Sequence, residues 1–489
     1  MRRVLQLERR PGAMLSLRFF LTAPLCALLA GALLAWQGDA AFASRWSAGA
    51  LAATHLFALG VLSMTMCGAL MQLLPVVAGA ELPWPAASAR AIHALLCVGT
   101  ALLAGGFWWT APTLFALALA PLLLALAWLL CACTWALLRA PKDSGAAMLG
   151  GVRPALLALA GTVPLGAAMA AAMAWPRALP LADLVGLHAS WGLLGWVALL
   201  IVGVAFQVIP MFQVTPPYPP LVTLLLSALL PATLLASSAA QASGHWSAPL
   251  LRAVLAALFT LFALWTFSLL ARRKRPADAT TLFWRASMGS LLACVLLWYA
   301  PLDTQARAIA TGVLFMLGFA GSAVMGMLYK IVPFLLWQHW QERGLPKPLA
   351  SIRLVIPDGR AKAQFWLHLA SLMLLVGAVP LAAWQPHWPA QPRPPHLALA
   401  QMPPPHLPLR VGALALMASA ALLGASLARA ALIARAAQPL HPREPLGDTV
   451  GSHVAGRADQ GGVHRRDADK AEHVALKRLD AVRAEIPPV

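Results

Sequence analysis

The sequence predicts an all-α integral membrane protein of about twelve transmembrane helices, built as a pseudo-threefold repeat of four-helix units. Three observations predict it: an apolar composition, a lopsided distribution of basic residues, and a motif that recurs every fourth helix. Of 489 residues, 60% are hydrophobic and 11% charged, whereas a soluble domain carries roughly 25% charged residues. A chain this apolar cannot cover itself with a wettable surface, so lipid is its solvent. Many runs, such as 221–240 and 253–271, reach the roughly 20 apolar residues that cross a bilayer.

Hydropathy and the Pro/Gly joints place the spans at 15–37, 47–79, 90–110, 112–139, 153–175, 182–213, 220–242, 247–271, 281–300, 306–338, 363–385 and 409–437. The expected organisation is a cytoplasmic N-terminus over 1–14, a membrane domain over 15–437 with repeat units near 15–139, 153–271 and 281–437, and a tail over 438–489. The first apolar run has a basic start without a small-residue cleavage site, so it reads as a retained span.

The net charge of +19 raises the question of nucleic acid, and its distribution answers no. The tail from His441 holds eight basic and eight acidic residues, so it is neutral and reads as disordered. The excess lies between the spans. With the N-terminus inside, 22 Lys/Arg fall on the inner side, including the run Arg272, Arg273, Lys274 and Arg275, against six outside. The positive-inside rule then gives an even span count and both termini in the cytoplasm. The membrane is of the bacterial inner (plasma) type on this reading, and the lipid bilayer is the first partner.

Three segments align without gaps as L-G-x7-G-x3-[QK]-x2-P. They run through Gly60, Gly68, Gln72 and Pro75, through Gly195, Gly203, Gln207 and Pro210, and through Gly318, Gly326, Lys330 and Pro333. They lie on spans two, six and ten, and a recurring period means a duplicated architecture. The glycines suit crowded helices that approach closely. The Gln or Lys is placed where it can reach water at the inner face, and the Pro ends or kinks the helix.

Acidic residues are almost missing from the spans: Glu81, Asp143, Asp183, Asp278 and Asp303 fall in or beside loops. That argues against a proton-coupled carrier, which needs a buried carboxylate. Histidine is the remaining chemistry. His55 and His188 open spans two and six in the outer half, while His93 and His368 open spans three and eleven in the inner half. Neutral imidazole is the commonest metal or haem-iron ligand available to such helices. Met66 lies eleven residues after His55, three α-turns on and on the same face, and Met64, Met71 and Cys67 add soft donors that suit Cu(I). The bland alternative for Met and Cys is core filling, and for the histidines a hydrogen-bonded place in the bundle. The six cysteines form no CxxC pair. His387, His396 and His406 lie in a Pro-rich loop without ligand spacing and read as solvated.

Twelve spans, a threefold four-helix repeat, Arg18-Phe19-Phe20-Leu21 and Thr54-His55-Leu56 together resemble the haem–copper oxidase subunit I superfamily. The NnrS-type haem- and copper-containing membrane proteins are the nearest analogue. The resemblance covers about 15–437 and implies haem, with copper as a second cofactor. It matches His55 to the oxidases' helix-two haem ligand and His188 to their helix-six copper ligand. It fails elsewhere. Span ten has no histidine in its core, with His339 just past its end, and span seven has none, with a single His245 beyond it. Gly192 stands where the cross-linked tyrosine belongs, and Tyr218, Tyr299 and Tyr329 do not replace it. The resemblance therefore implies a degenerate relative that is not an active terminal oxidase, with a role in redox, nitric-oxide or respiratory response, or cofactor handling. Its partners would be respiratory or oxidase-assembly proteins. The alternatives are a transporter, against which the four-helix period argues, and a cofactor-free assembly subunit.

Overall fold

A computed structural model of the chain describes residues 12–141, 144–175, 179–301, 303–342, 355–383 and 407–436. The loop with His387, His396 and His406 and the tail lie outside these residues. Among them are twelve helices long and apolar enough to cross a membrane. We number them α1 Leu15–Ala41, α2 Ala48–Ala78, α3 Pro85–Trp109, α4 Pro112–Leu138, α5 Ala146–Ala174 and α6 Asp183–Gln213. There follow α7 Pro220–Ala242, α8 Ala248–Ala271, α9 Ala279–Trp298, α10 Thr304–His339, α11 Asp358–Val379 and α12 Leu407–Ile433. Prolines open α3, α4 and α7 at positions where no N–H is needed. Ser47 caps α2 by accepting from the Ala50 N–H, and Asp278 forms a reciprocal cap with Thr281 on α9.

The bundle has an inside and an outside set by sequence. In α2, α6 and α10 the most apolar stretch is 89%, 78% and 72% buried, against 28–50% for every other helix. The three motif-bearing helices are therefore the centre. Around them α4 packs on α5, α8 on α9, and α12 back on α1, so the last helix of each unit meets the first helix of the next and the ring closes.

The motif glycines set the same register three times. A Cβ on Gly60, Gly195 or Gly318 would lie 2.5–2.6 Å from Cys26, Ala158 or Ser290. One turn pair further on, a Cβ on Gly68, Gly203 or Gly326 would collide with Phe19, Gly151 or Phe283. The two contacts are seven residues apart on α1, on α5 and on α9 alike, so each first helix docks on its central helix in one register. Gly203 and Gly151 meet backbone to backbone, with Gly151 Cα 2.8 Å from where a Cβ at 203 would sit.

The motif prolines were expected to end or kink their helices. They do not end them on the spot: α2 runs three residues past Pro75 to Ala78, α6 three past Pro210 to Gln213, and α10 past Pro333 to His339. A Pro removes a single N–H, and a crowded interior supports the helix around that loss.

Candidate site at the junction of the first two units

Each central helix carries a π segment: Leu56–Ser63 in α2, Ser190–Ala198 in α6 and Leu314–Gly321 in α10. Motif alignment superimposes the first and third residue for residue, and the second ends at the same place. π turns are rare and cluster at functional sites. The segments face one another across the centre. The Trp196 indole N–H donates to Ser63 Oγ at 3.0 Å, and a Cβ on Gly321 would lie 3.1 Å from Phe57 Cζ. Hydroxyls add a bond to equivalent carbonyls of two π segments: Thr65 Oγ1 donates to the Val61 carbonyl at 2.8 Å. Ser287 Oγ donates at 2.8 Å to the Phe319 carbonyl, the equivalent position in α10.

His55 immediately precedes the first π segment. Its Nδ1 is 2.8 Å from the Leu51 carbonyl, so Nδ1 carries the proton and Nε2 is left as the lone-pair nitrogen. The ring stacks on Phe107 of α3 with centroids 4.8 Å apart. His188 precedes the second π segment. Its Nδ1 lies 3.2 Å from the Thr162 carbonyl of α5, which fixes the same tautomer. Its Cε1 lies where a Cβ on Gly166 would come within 2.8 Å, so the glycine makes room for the ring. The two imidazoles come from different units. Both are half-buried. Ala170 and Ala174 of α5 pack with Leu59, Leu103, Phe107 and Phe115, so small side chains of unit two and apolar ones of unit one share the wall beside His55.

The other two candidate histidines are engaged. His93 Nε2 lies 2.9 Å from Thr22 Oγ1 and 3.6 Å from Cys97 Sγ, with its ring edge-on to Phe19 at 5.1 Å. His368 is fully buried, its Nε2 2.9 Å from Ser322 Oγ and its ring 5.5 Å from Phe283. Phe19 and Phe283 are the equivalent α1 and α9 positions in the glycine register, so His93 and His368 occupy the same place in two units. Ligation through Nε2 would cost either one the hydroxyl contact it makes.

Met66 is placed differently from the expectation. Eleven residues make three turns only in an uninterrupted α-helix, and eight of those between His55 and Met66 are π. Met66 lines a cavity of about 60 Å³ among α2, α6 and α10, with Thr65, Leu200, Ile201, Ala323 and Val324. Positions 65, 200 and 323 are motif equivalents, as are 66, 201 and 324, so the cavity lies on the pseudo-threefold axis. It has room for a few water-sized groups and none for a porphyrin. Cys67 and Met64 are buried in the core, and all six cysteines are free. Among the described residues no three His, Cys, Asp or Glu side chains gather as a metal site.

At the other end of the central helices, Gln72 is 5% and Gln207 7% exposed, so neither amide reaches water freely. Lys330, their equivalent, pairs with Asp278. Burial works to raise the Asp278 carboxyl, but the Lys330 hydrogen bond and charge, with the Thr281 donors, outweigh it and hold the group below the usual carboxylate value of 3.8. The signals that sequence reading passed over are the π segments and the hydroxyls that serve them.

Comparison with known proteins matches the chain to no protein-family model and to no curated protein.

Proposed function

We propose that the protein is a haem-binding protein of a bacterial-type inner membrane, with both termini cytoplasmic, on a scaffold resembling haem–copper oxidase subunit I without its oxygen-reduction site. One observation carries the reading. His55 and His188, on two of the three central helices, each fix Nδ1 on a backbone carbonyl and leave Nε2 as a donor. That is the arrangement in which an outer hydrogen bond sets the tautomer of a ligating histidine. Haem, when bound, supplies an iron for one-electron exchange or for binding a diatomic gas, which suits a redox, nitric-oxide or respiratory role, or cofactor handling. His55 and His188 would hold it. Phe107 supports the His55 ring, and Gly166 leaves space for that of His188. Copper is the second candidate, with His55 and His188 as its nitrogen donors.

The test is an absorbance spectrum with metal analysis on protein purified in detergent after haem-replete expression. A Soret band is expected; its absence sinks the haem reading. Co-purification of an oxidase or assembly protein with haem-free chain would favour the assembly reading instead. A transporter is the second reading, favoured by the axial cavity bordered by three helices with irregular mid-sections, where carriers place their sites. Haem-free protein that drives solute uptake into proteoliposomes would establish it.

A further inference from the structure

The third unit holds a ladder of buried polar groups that the haem reading does not use. Its outermost rung is His368 with Ser322, joined at 2.9 Å. One turn toward the Lys330 end, Gln364 Nε2 donates to Ser419 Oγ at 2.7 Å and lies 3.8 Å from Met325 Sδ. Next comes Tyr329, whose hydroxyl interacts with Ser426 without a bond of full geometry, and then Arg429.

The spacing is helical on all three elements. Ser322 and Tyr329 are seven apart on α10, Ser419 and Ser426 seven apart on α12, and Gln364 and His368 four apart on α11. Seven residues are about 10 Å of helix, so the rungs climb from the Arg429 level to the π segment of α10. The rungs above Arg429 are sealed from the surroundings: His368, Gln364, Ser419 and Ser322 are 0% exposed, Ser426 2% and Tyr329 7%, while Arg429 is half-buried.

Every rung is also incompletely bonded. His368 Nδ1, Gln364 Oε1, Tyr329 Oη and Arg429 Nε are buried and have no hydrogen-bond partner within the protein. The Leu317 carbonyl acts on the His368 ring, but no bond of acceptable geometry reaches Nδ1. Each such group costs roughly 1–3 kcal/mol unless something else bonds it. Four on one line of three helices mark a path whose missing partner is common to all, and internal water is the molecule that typically makes about three bonds to such groups.

We propose that α10, α11 and α12 enclose a file of ordered water molecules that gives water, and with it protons, a route from the Arg429 level to His368 at the π segment of α10. The chain's three tyrosines make the test internal. Tyr218 is buried with its hydroxyl 2.8 Å from Thr266 Oγ1, Tyr299 is 58% exposed, and Tyr329 is buried on the ladder. X-ray radiolysis of the full chain in nanodiscs labels side chains in contact with water, read by mass spectrometry. Oxidation is expected at Tyr299, Tyr329 and His368 and not at Tyr218. Gln364→Leu should abolish the label at His368 and leave it at Tyr329, because the break lies between them. Ser419→Ala, a smaller change on the same rung, serves if the leucine variant does not fold, and should reduce the His368 label. Tyr329 as silent as Tyr218 would overturn the proposal, and so would a His368 label unchanged in both variants.

Discussion

The junction of the first two units and the interior of the third are built on one helix register and filled in opposite ways. At the junction, two half-buried histidines keep Nε2 as a donor beside glycine and alanine. In the third unit the histidine is sealed, its Nε2 is taken by Ser322, and the bonded pair Gln364 and Ser419 lies a turn away. The central helix repeats this contrast. Motif alignment puts Thr311 of α10 opposite His188, and that hydroxyl is buried without a protein partner. Duplication supplied three equivalent frames, and the residues facing into each decide whether it offers a ligand or a polar interior.

The sharpest way to break the comparison is spectral. His55→Ala and His188→Ala should each remove or shift the Soret band, whereas His368→Ala should leave it in place; an unchanged spectrum in either junction variant clears that residue of ligation. The shared register can be broken next. Gly203→Leu forces side-chain volume into the Gly151 backbone and should cost about 3 kcal/mol or more, read as lost monodisperse protein. Gly312→Ala, with nothing within 4 Å, should leave the elution profile unchanged. Ser63→Ala orphans the Trp196 N–H that ties the α2 and α6 π segments. It should lower the thermal midpoint by the equivalent of about 1–3 kcal/mol, and a midpoint equal to wild type would show the tie to be idle.

The smallest effect concerns the ion pair in the third unit. Asp278→Asn should destabilise by about 1–2 kcal/mol at neutral pH, the value of a partly buried charged hydrogen bond. A carboxyl whose value falls on folding stabilises above its unfolded value and loses that contribution as pH drops through the folded one. The gap between wild type and Asp278→Asn in a denaturation series should therefore close below about pH 4, and a gap constant with pH would assign the effect to packing.

The twelve helices were legible because a bilayer demands the same apolar length of each, and the central three because glycine at fixed spacing has few uses other than close packing. His55 and His188 were legible as candidates because imidazole is rare in such helices. The π segments were not: Leu56–Ser63 and Leu314–Gly321 are as apolar as any α stretch, and the extra residue leaves no mark in composition. That omission misplaced Met66. The third-unit ladder was invisible for another reason. Its members are single polar residues on three helices separated by tens of positions, and only packing brings Gln364 beside Ser419.

The π segments also keep the three copies in step. A residue inserted into a helix shifts everything beyond it, so an insertion surviving in one copy would leave that copy out of step with the others. Here three copies share the irregularity at one position and stay in step on both sides of it. The glycine contacts on either side of it therefore fall in one register on all three central helices.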